Sequence, residues 1–210
     1  MATKETRGKI LDTAERLFAE RGFADTSLRE ITSAAGVNLA AVHYHYASKE
    51  ALLQAVFARR MEPLNRIRME MLDACAARGA ALSLEDVLDA IVGPVLDLRV
   101  REDLGGERFA RLLGRSMFEP EKALLPVLYR EFKDVFLRFT DLLQQVLPGA
   151  PPEEIFWRVH FLAGALSFNM VNARQLRTTS GGLCDPADVA RARRELVAFA
   201  AGGFRASGAG

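Results

Sequence analysis

Cysteine is almost missing from this 210-residue chain, with only Cys75 and Cys184 present. Two thiols so far apart make no disulfide framework, and no Cys-x-x-Cys or His-Glu-x-x-His spacing offers a zinc site. An excess of one charge is missing too. Lys and Arg number 28 against 27 Asp and Glu, a formal +1, so no bulk field draws the chain to nucleic acid or to an acidic substrate. Long hydrophobic runs are also absent. The most apolar window, 155–171, is interrupted by Arg158, His160 and Asn169, whereas a spanning helix needs about 20 mostly apolar residues. That window reads as a buried helix, and no membrane partner is expected. No signal-like segment precedes the first helical pattern, so a cytoplasmic location with reduced thiols is the expectation. Neither a phosphate-cradling glycine loop nor a nucleophile–base–acid set stands out, and no enzymatic activity or cofactor is expected.

What is there is helix. Half of the residues are hydrophobic and 26% are charged, enough for a globular core. The periodicity is 3.6 residues nearly throughout, without the alternation of strands. A first helix is predicted over 4–21, with Ile10, Leu11, Ala14, Leu17 and Phe18 as its apolar stripe and Gly22 to end it. Ser27-Leu28-Arg29-Glu30 has the spacing of a capping box and starts a short second helix through Ala35. Gly36-Val37 makes a tight turn, Asn38 caps a third helix over 39–46, and Ser48 caps a fourth. A short helix pair joined by a glycine turn is the pattern of a helix-turn-helix, in which the second member reads DNA. The same pattern also fits a helical bundle with an incidental turn.

Longer helices are expected over 55–78, 83–98, 105–118, 121–147, 152–177 and 186–204. Breaks fall at Gly79, Gly105-Gly106, Pro120, Pro148-Gly149 and the loop 178–182, and 206–210 reads as a frayed end. The fold class is therefore all-α: an N-terminal helix-turn-helix domain over 1–54 and a second helical domain over 55–210.

The stretch 10–53 resembles the TetR family of bacterial transcription regulators. The matching residues are Ile10-Leu11-x-x-Ala14-x-x-Leu17-Phe18-x-x-x-Gly22-Phe23, then Thr26-Ser27-x-x-x-Ile31 and Ala35-Gly36-Val37. They end with His43-Tyr44-His45-Tyr46-x-Ser48-Lys49-Glu50-x-Leu52. A narrower likeness, in Gly36-Val37-Asn38-Leu39-Ala40-Ala41-Val42, in Phe156-Trp157-Arg158-Val159-His160-Phe161 and in Phe199-Ala200-Ala201-Gly202, is to the PsrA-type branch, whose members sense long-chain fatty acids or their CoA esters.

The resemblance implies a homodimeric repressor that binds a near-palindromic double-stranded DNA operator and is released by a small apolar effector, a fatty acid or acyl-CoA. The alternative is a TetR-like DNA-binding protein without any effector. The DNA contacts it implies fall on Ser27, Arg29, Asn38, Leu39, Ala40, Ala41, His43, Tyr44, His45 and Lys49. From chemistry alone, Leu39, Ala40 and Ala41 offer only apolar contact, for instance with a thymine methyl, and Asn38 can cap its helix or bond adenine but not do both fully. His43 and His45 point about 200° apart on a helix and cannot share a metal ion unaided.

Residues 1–60 hold nine basic and seven acidic side chains, a local +2. One head would bind DNA weakly, so affinity is expected to come from two heads acting together. The resemblance makes the last two helices a dimer interface, for which Phe156, Val159, Leu162, Leu166, Met170 and Leu196 are the candidates. Trp157 fits either an interface or the core. Phe109, Leu113, Met117, Phe132, Phe136, Phe161 and Phe168 are the candidate pocket lining, with Arg108, Arg111, Arg115 or His160 as the cation for an acidic head. Phe and Met at helical spacing fit a plain core equally well.

Overall fold

The computed structural model describes residues 2–118 and 122–206. The break expected at Pro120 and the tail 207–210 lie outside the described residues. Nine α-helices, joined by loops and short 3-10 turns, make up the described chain: α1 Ala2–Arg21, α2 Leu28–Ala35, α3 Leu39–Tyr46, α4 Lys49–Ala76, α5 Leu84–Asp97, α6 Gly106–Phe118, α7 Leu125–Val146, α8 Pro152–Thr179 and α9 Val189–Arg205. The fold is all-α, as the periodicity requires, with the N-terminal helices forming a helix-turn-helix and the rest a helical bundle.

Local chemistry sets the short helices. Ser27 Oγ accepts the Glu30 amide while the Glu30 carboxylate accepts the Ser27 amide, which satisfies donors that the first turn leaves free. Gly36 ends α2 with φ +66, in the left-handed region where a side chain is strained. Asn38 Oδ1 then accepts the Ala41 amide at 2.8 Å and caps α3. Ile10, Phe18, Ile31, Val42, Leu52 and Phe57 are fully buried, joining α1 to α4 through one core.

The fourth helix differs from its expected form. The sequence predicts a fourth helix capped by Ser48 and a longer one over 55–78, but α4 runs unbroken from Lys49 to Ala76 with Pro63 inside it. Proline deletes one backbone donor, yet the stripe Phe57, Met61, Leu64, Leu72 stays fully buried along both halves. Tertiary packing here overrides a weak local signal. Because α4 crosses residues 54 and 55, the head and the body share one helix.

In the body, α4 packs on α7, α6 on α8 and α5 on α9. The α6–α8 crossing is close at Gly114, where an added Cβ would meet the Met170 side chain at 2.9 Å. Arg193 of α9 pairs with Asp89 and Asp97 of α5, and Arg205 with Glu85. Such partly exposed pairs contribute at most about 1 kcal/mol each, so they orient α9 more than they hold it. The α8 backbone departs from helical angles at Asn172 (φ −114, ψ 15). No helix among the described residues is long and apolar enough to cross a membrane.

Candidate functional site

Three places in the molecule carry chemistry: the outer surface of α2 and α3, an apolar cavity in the body, and the outward face of α8 and α9. On the first, Val42 is fully buried and Tyr46 nearly so, its hydroxyl donating to the Arg7 carbonyl at 3.1 Å. Burial pushes the Tyr46 phenol pKa upward. With those two residues anchoring α3, the opposite side faces outward. Tyr44 is 80% exposed, and Leu39, Ala40 and His43 are exposed as well. A ring nitrogen of His43 lies 3.1 Å from the Ala47 carbonyl, and His45 sits edge-on to Tyr44 with centroids 5.0 Å apart.

The cap of α3 uses the Asn38 carbonyl oxygen, and the residue is exposed with its amide NH2 not engaged in that bond. Ser27 is held within its capping box. Hydrogen bonds from the Ser27 amide and hydroxyl keep the Glu30 carboxyl below the usual carboxylate range. Arg29 is exposed, and its guanidinium has no partner among the described residues. Lys49 Nζ lies 4.2 Å from the centroid of the Phe23 ring and 3.4 Å from the Ala24 carbonyl. The structure thus brings Ser27, Arg29 and Lys49 to the starts of α2 and α4, beside the outward side of α3.

The second place is a cavity of about 430 Å³, partly open to solvent and lined by α4, α5, α6, α7 and α8. Of the expected lining, Leu113, Met117, Phe132 and Phe136 are there. Phe109 is not: it is fully buried with its ring edge-on to Phe57 at 5.8 Å, in the core between α4 and α6. Phe161 and Phe168 also lie elsewhere, 63% and 55% exposed on the outer side of α8. The inner side of α8 instead presents Val159, Leu162, Leu166 and Met170 to the cavity, and Phe156 lines it while stacking on Phe136. These five are candidates for the dimer interface, and of them Phe156 keeps 54% of its surface exposed. Leu196, the sixth, is half-buried and packs on the core.

The physical reason is phase. At 100° per residue, positions 159, 162, 166 and 170 share one side of α8, and 157, 161, 164 and 168 share the other. Both sides are apolar, so the pattern alone does not say which one faces inward. The outward side makes the third place: Trp157 stacks on Phe161 with centroids 5.8 Å apart, and Phe199 of α9 is 73% exposed. Trp157 is therefore on the surface rather than in the core.

Among the expected cations, only His160 lines the cavity. Arg108 and Arg115 are exposed and Arg111 pairs with Glu107. The cation that does line it is Arg68, which sequence reasoning missed. Its place in the α4 stripe was a usable signal, since it falls between Leu64 and Leu72 at helical spacing.

Two links run from the cavity toward the head. Helix α6 carries Leu113 and Met117 at one end and packs against α1. Near its start, Arg60 of α4 reaches the Asp103 carbonyl and the Glu15 carboxylate of α1, the latter at 2.9 Å. Glu15 is buried and also receives Arg59.

Comparison with known proteins accords with this layout. Residues 10–56 match the family model for bacterial regulatory proteins of the tetR family, and residues 89–203 match that for the tetracyclin repressor-like C-terminal domain. The transcriptional regulator TtgW of Pseudomonas putida is 38% identical over 92 residues, covering 44% of this chain and 64% of that protein. SrpR of Pseudomonas putida is 37% identical over 92 residues, 44% of this chain and 40% of that one. The matches thus span less than two thirds of these curated relatives. Among solved structures, NalD, the secondary repressor of the MexAB-OprM multidrug efflux pump in Pseudomonas aeruginosa, aligns over 94% of this chain and 97% of its own, with a TM-score of 0.63 and 25% identity. The fatty acid degradation regulator FadR from Bacillus halodurans aligns over 96% of this chain and 97% of its own with a TM-score of 0.59, and at 16% identity it speaks for the fold alone. With both family models matched in order, one of them over more than half of this chain, the chain belongs to the TetR family of bacterial regulatory proteins.

Proposed function

We propose that the protein is a homodimeric repressor whose two heads grip a near-palindromic operator and let go when a small, mainly apolar molecule fills the body cavity. The observation that carries this reading is the position of α6, which lines the cavity with Leu113 and Met117 and also packs on α1 of the head. Arg29 and Lys49 would bind phosphate, helped by the free amides at the starts of α2 and α4. Asn38, Tyr44, His43 and His45 would reach base edges or sugars, with Ser27 at the margin. Leu39, Ala40 and Ala41 would press on the groove floor, so specificity rests on apolar contact and on the fit of two heads. The division at residues 54 and 55 is then functional, a reading head over 1–54 and a sensing and pairing body over 55–210, with α4 as the shared lever.

Pairing would use the outer side of α8 and α9, where Trp157, Phe161, Phe168 and Phe199 form an apolar patch. Patches of that kind on a monomer mark association sites. A two-fold axis through it would set the heads about one helical turn of DNA apart. An effector that prefers one α6 position shifts the head spacing by its differential affinity for the two states.

For the effector, the PsrA-type likeness in 36–42 and 156–161 favours a long-chain fatty acid or its CoA ester. The test is a gel shift on the gene's upstream DNA, with and without oleate and oleoyl-CoA. Release by either compound at micromolar levels supports the reading. A shift that neither compound diminishes would favour a DNA-binding protein with no effector.

A further inference from the structure

Arg68 is buried without an anionic partner. Its side chain is 4% exposed within the cavity wall. One terminal nitrogen donates to Asn65 Oδ1 at 3.1 Å, the guanidinium carbon lies 5.5 Å from the centroid of the Phe132 ring, and Nε is buried with no hydrogen-bond partner. Among the described residues no carboxylate comes within ion-pair distance of it. A buried ion without a counter-ion is costly, and an apolar side chain of similar volume serves a core better. Desolvation already lowers its pKa to about 10, which leaves it charged at neutral pH. Nothing in the packing of α4 calls for a cation here, because its neighbours along the stripe, Leu64 and Leu72, are fully buried hydrocarbon.

The rest of the wall points the same way. Apart from Arg68, the polar groups are few: the Ser167 hydroxyl, on a buried residue with no side-chain partner among the described residues, and His160. A guanidinium presents a planar fork that matches the two oxygens of a carboxylate, and such a pair strengthens in a dry, apolar surround.

We propose that the cavity selects organic anions, namely a hydrocarbon body ending in a free carboxylate that pairs with Arg68. This rests on the reading of the cavity as the effector site, and it narrows that reading. A thioester has no carboxylate for the guanidinium, so an acyl-CoA forgoes the pairing that a free acid makes with Arg68. Cationic compounds would be repelled.

The test uses the whole protein and three probes, decanoate, decan-1-ol and decanoyl-CoA, titrated calorimetrically at neutral pH against the wild type, Arg68→Met and Arg68→Lys. Thermal unfolding without ligand checks that each variant folds, and Arg68→Met is expected to unfold no lower than the wild type. The wild type should bind decanoate at least about tenfold more tightly than either other probe, as expected for a hydrogen-bonded charge pair. Arg68→Met should lose that preference while keeping its affinity for decan-1-ol, and Arg68→Lys should retain part of it. Binding of decan-1-ol or decanoyl-CoA as tight as that of decanoate, unaltered in Arg68→Met, overturns the anion anchor but leaves an apolar effector site standing. Binding of none of the three overturns both.

Discussion

Truncating Phe161 to alanine should split the proposed dimer while leaving the fold intact. Phe161 is 63% exposed in the single chain and stacks on Trp157. Full burial of such a side chain contributes about 1.5–3 kcal/mol, so covering the exposed two thirds is worth roughly 1–2 kcal/mol per copy. A two-fold interface holds two copies. Phe161→Ala should therefore weaken pairing by about 2–4 kcal/mol, roughly 30- to 700-fold in the dimer dissociation constant. Sedimentation equilibrium over a dilution series reads this directly. The matched control is Leu162→Ala, one residue away but 6% exposed and facing the cavity. It should lower the unfolding free energy by about 2 kcal/mol, the low end for Leu→Ala because one side of Leu162 already borders open space, and leave pairing unchanged. If Phe161→Ala pairs as tightly as the wild type, or Leu162→Ala separates the protomers without loss of stability, the phase assigned to α8 is wrong.

Other consequences follow from the head and its links. Arg29→Ala and Lys49→Ala should each weaken binding to every DNA sequence and reduce the slope of log affinity against log salt by about 1.8, for one phosphate in each of two heads; an unchanged slope removes that residue from the phosphate contacts. A bulkier side chain at Ala40 or Ala41 should instead change which operators are bound. The Glu30 carboxyl is held below its ordinary value by the Ser27 amide, so its contribution to α2 is whole above the unfolded carboxylate value of about 4.3 and is lost as pH falls through the lower folded value. Hydrogen exchange at the head amides should accelerate only below that pH, and Glu30→Gln should remove this dependence. Glu15→Gln takes the buried negative charge away from Arg59 and Arg60, leaving them an amide oxygen to donate to, and should cost roughly 2 kcal/mol in urea unfolding; a change within experimental error would show that this charge does not tie α1 to α4.

Features written in neighbouring residues were legible in the sequence. The Ser27–Glu30 capping box, the turn at Gly36-Val37 and the Asn38 cap depend on spacings of three or fewer residues, and all three form as the sequence implies. Facts that depend on which element lies opposite were not legible. Helix α8 is apolar on both sides, so only the packing of α6 against it decides that Leu162 and Met170 face the cavity while Phe161 and Phe168 face out. Phe109 looked like a pocket residue because nothing local reveals Phe57 across from it. Arg68 was hidden among Arg59, Arg60 and Arg66 of the same helix, and only the phase of its stripe sets it apart from those neighbours.

The central claim is that two identical heads, held by one dimer, recognise one DNA site. Selection of bound duplexes from a random library, followed by footprinting of the best sequence, tests it most directly. The account predicts enrichment of a near-palindrome, with two protected half-sites centred about one helical turn apart and two protomers per bound duplex. Enrichment of a single unrepeated half-site, or of no sequence at all, would contradict it.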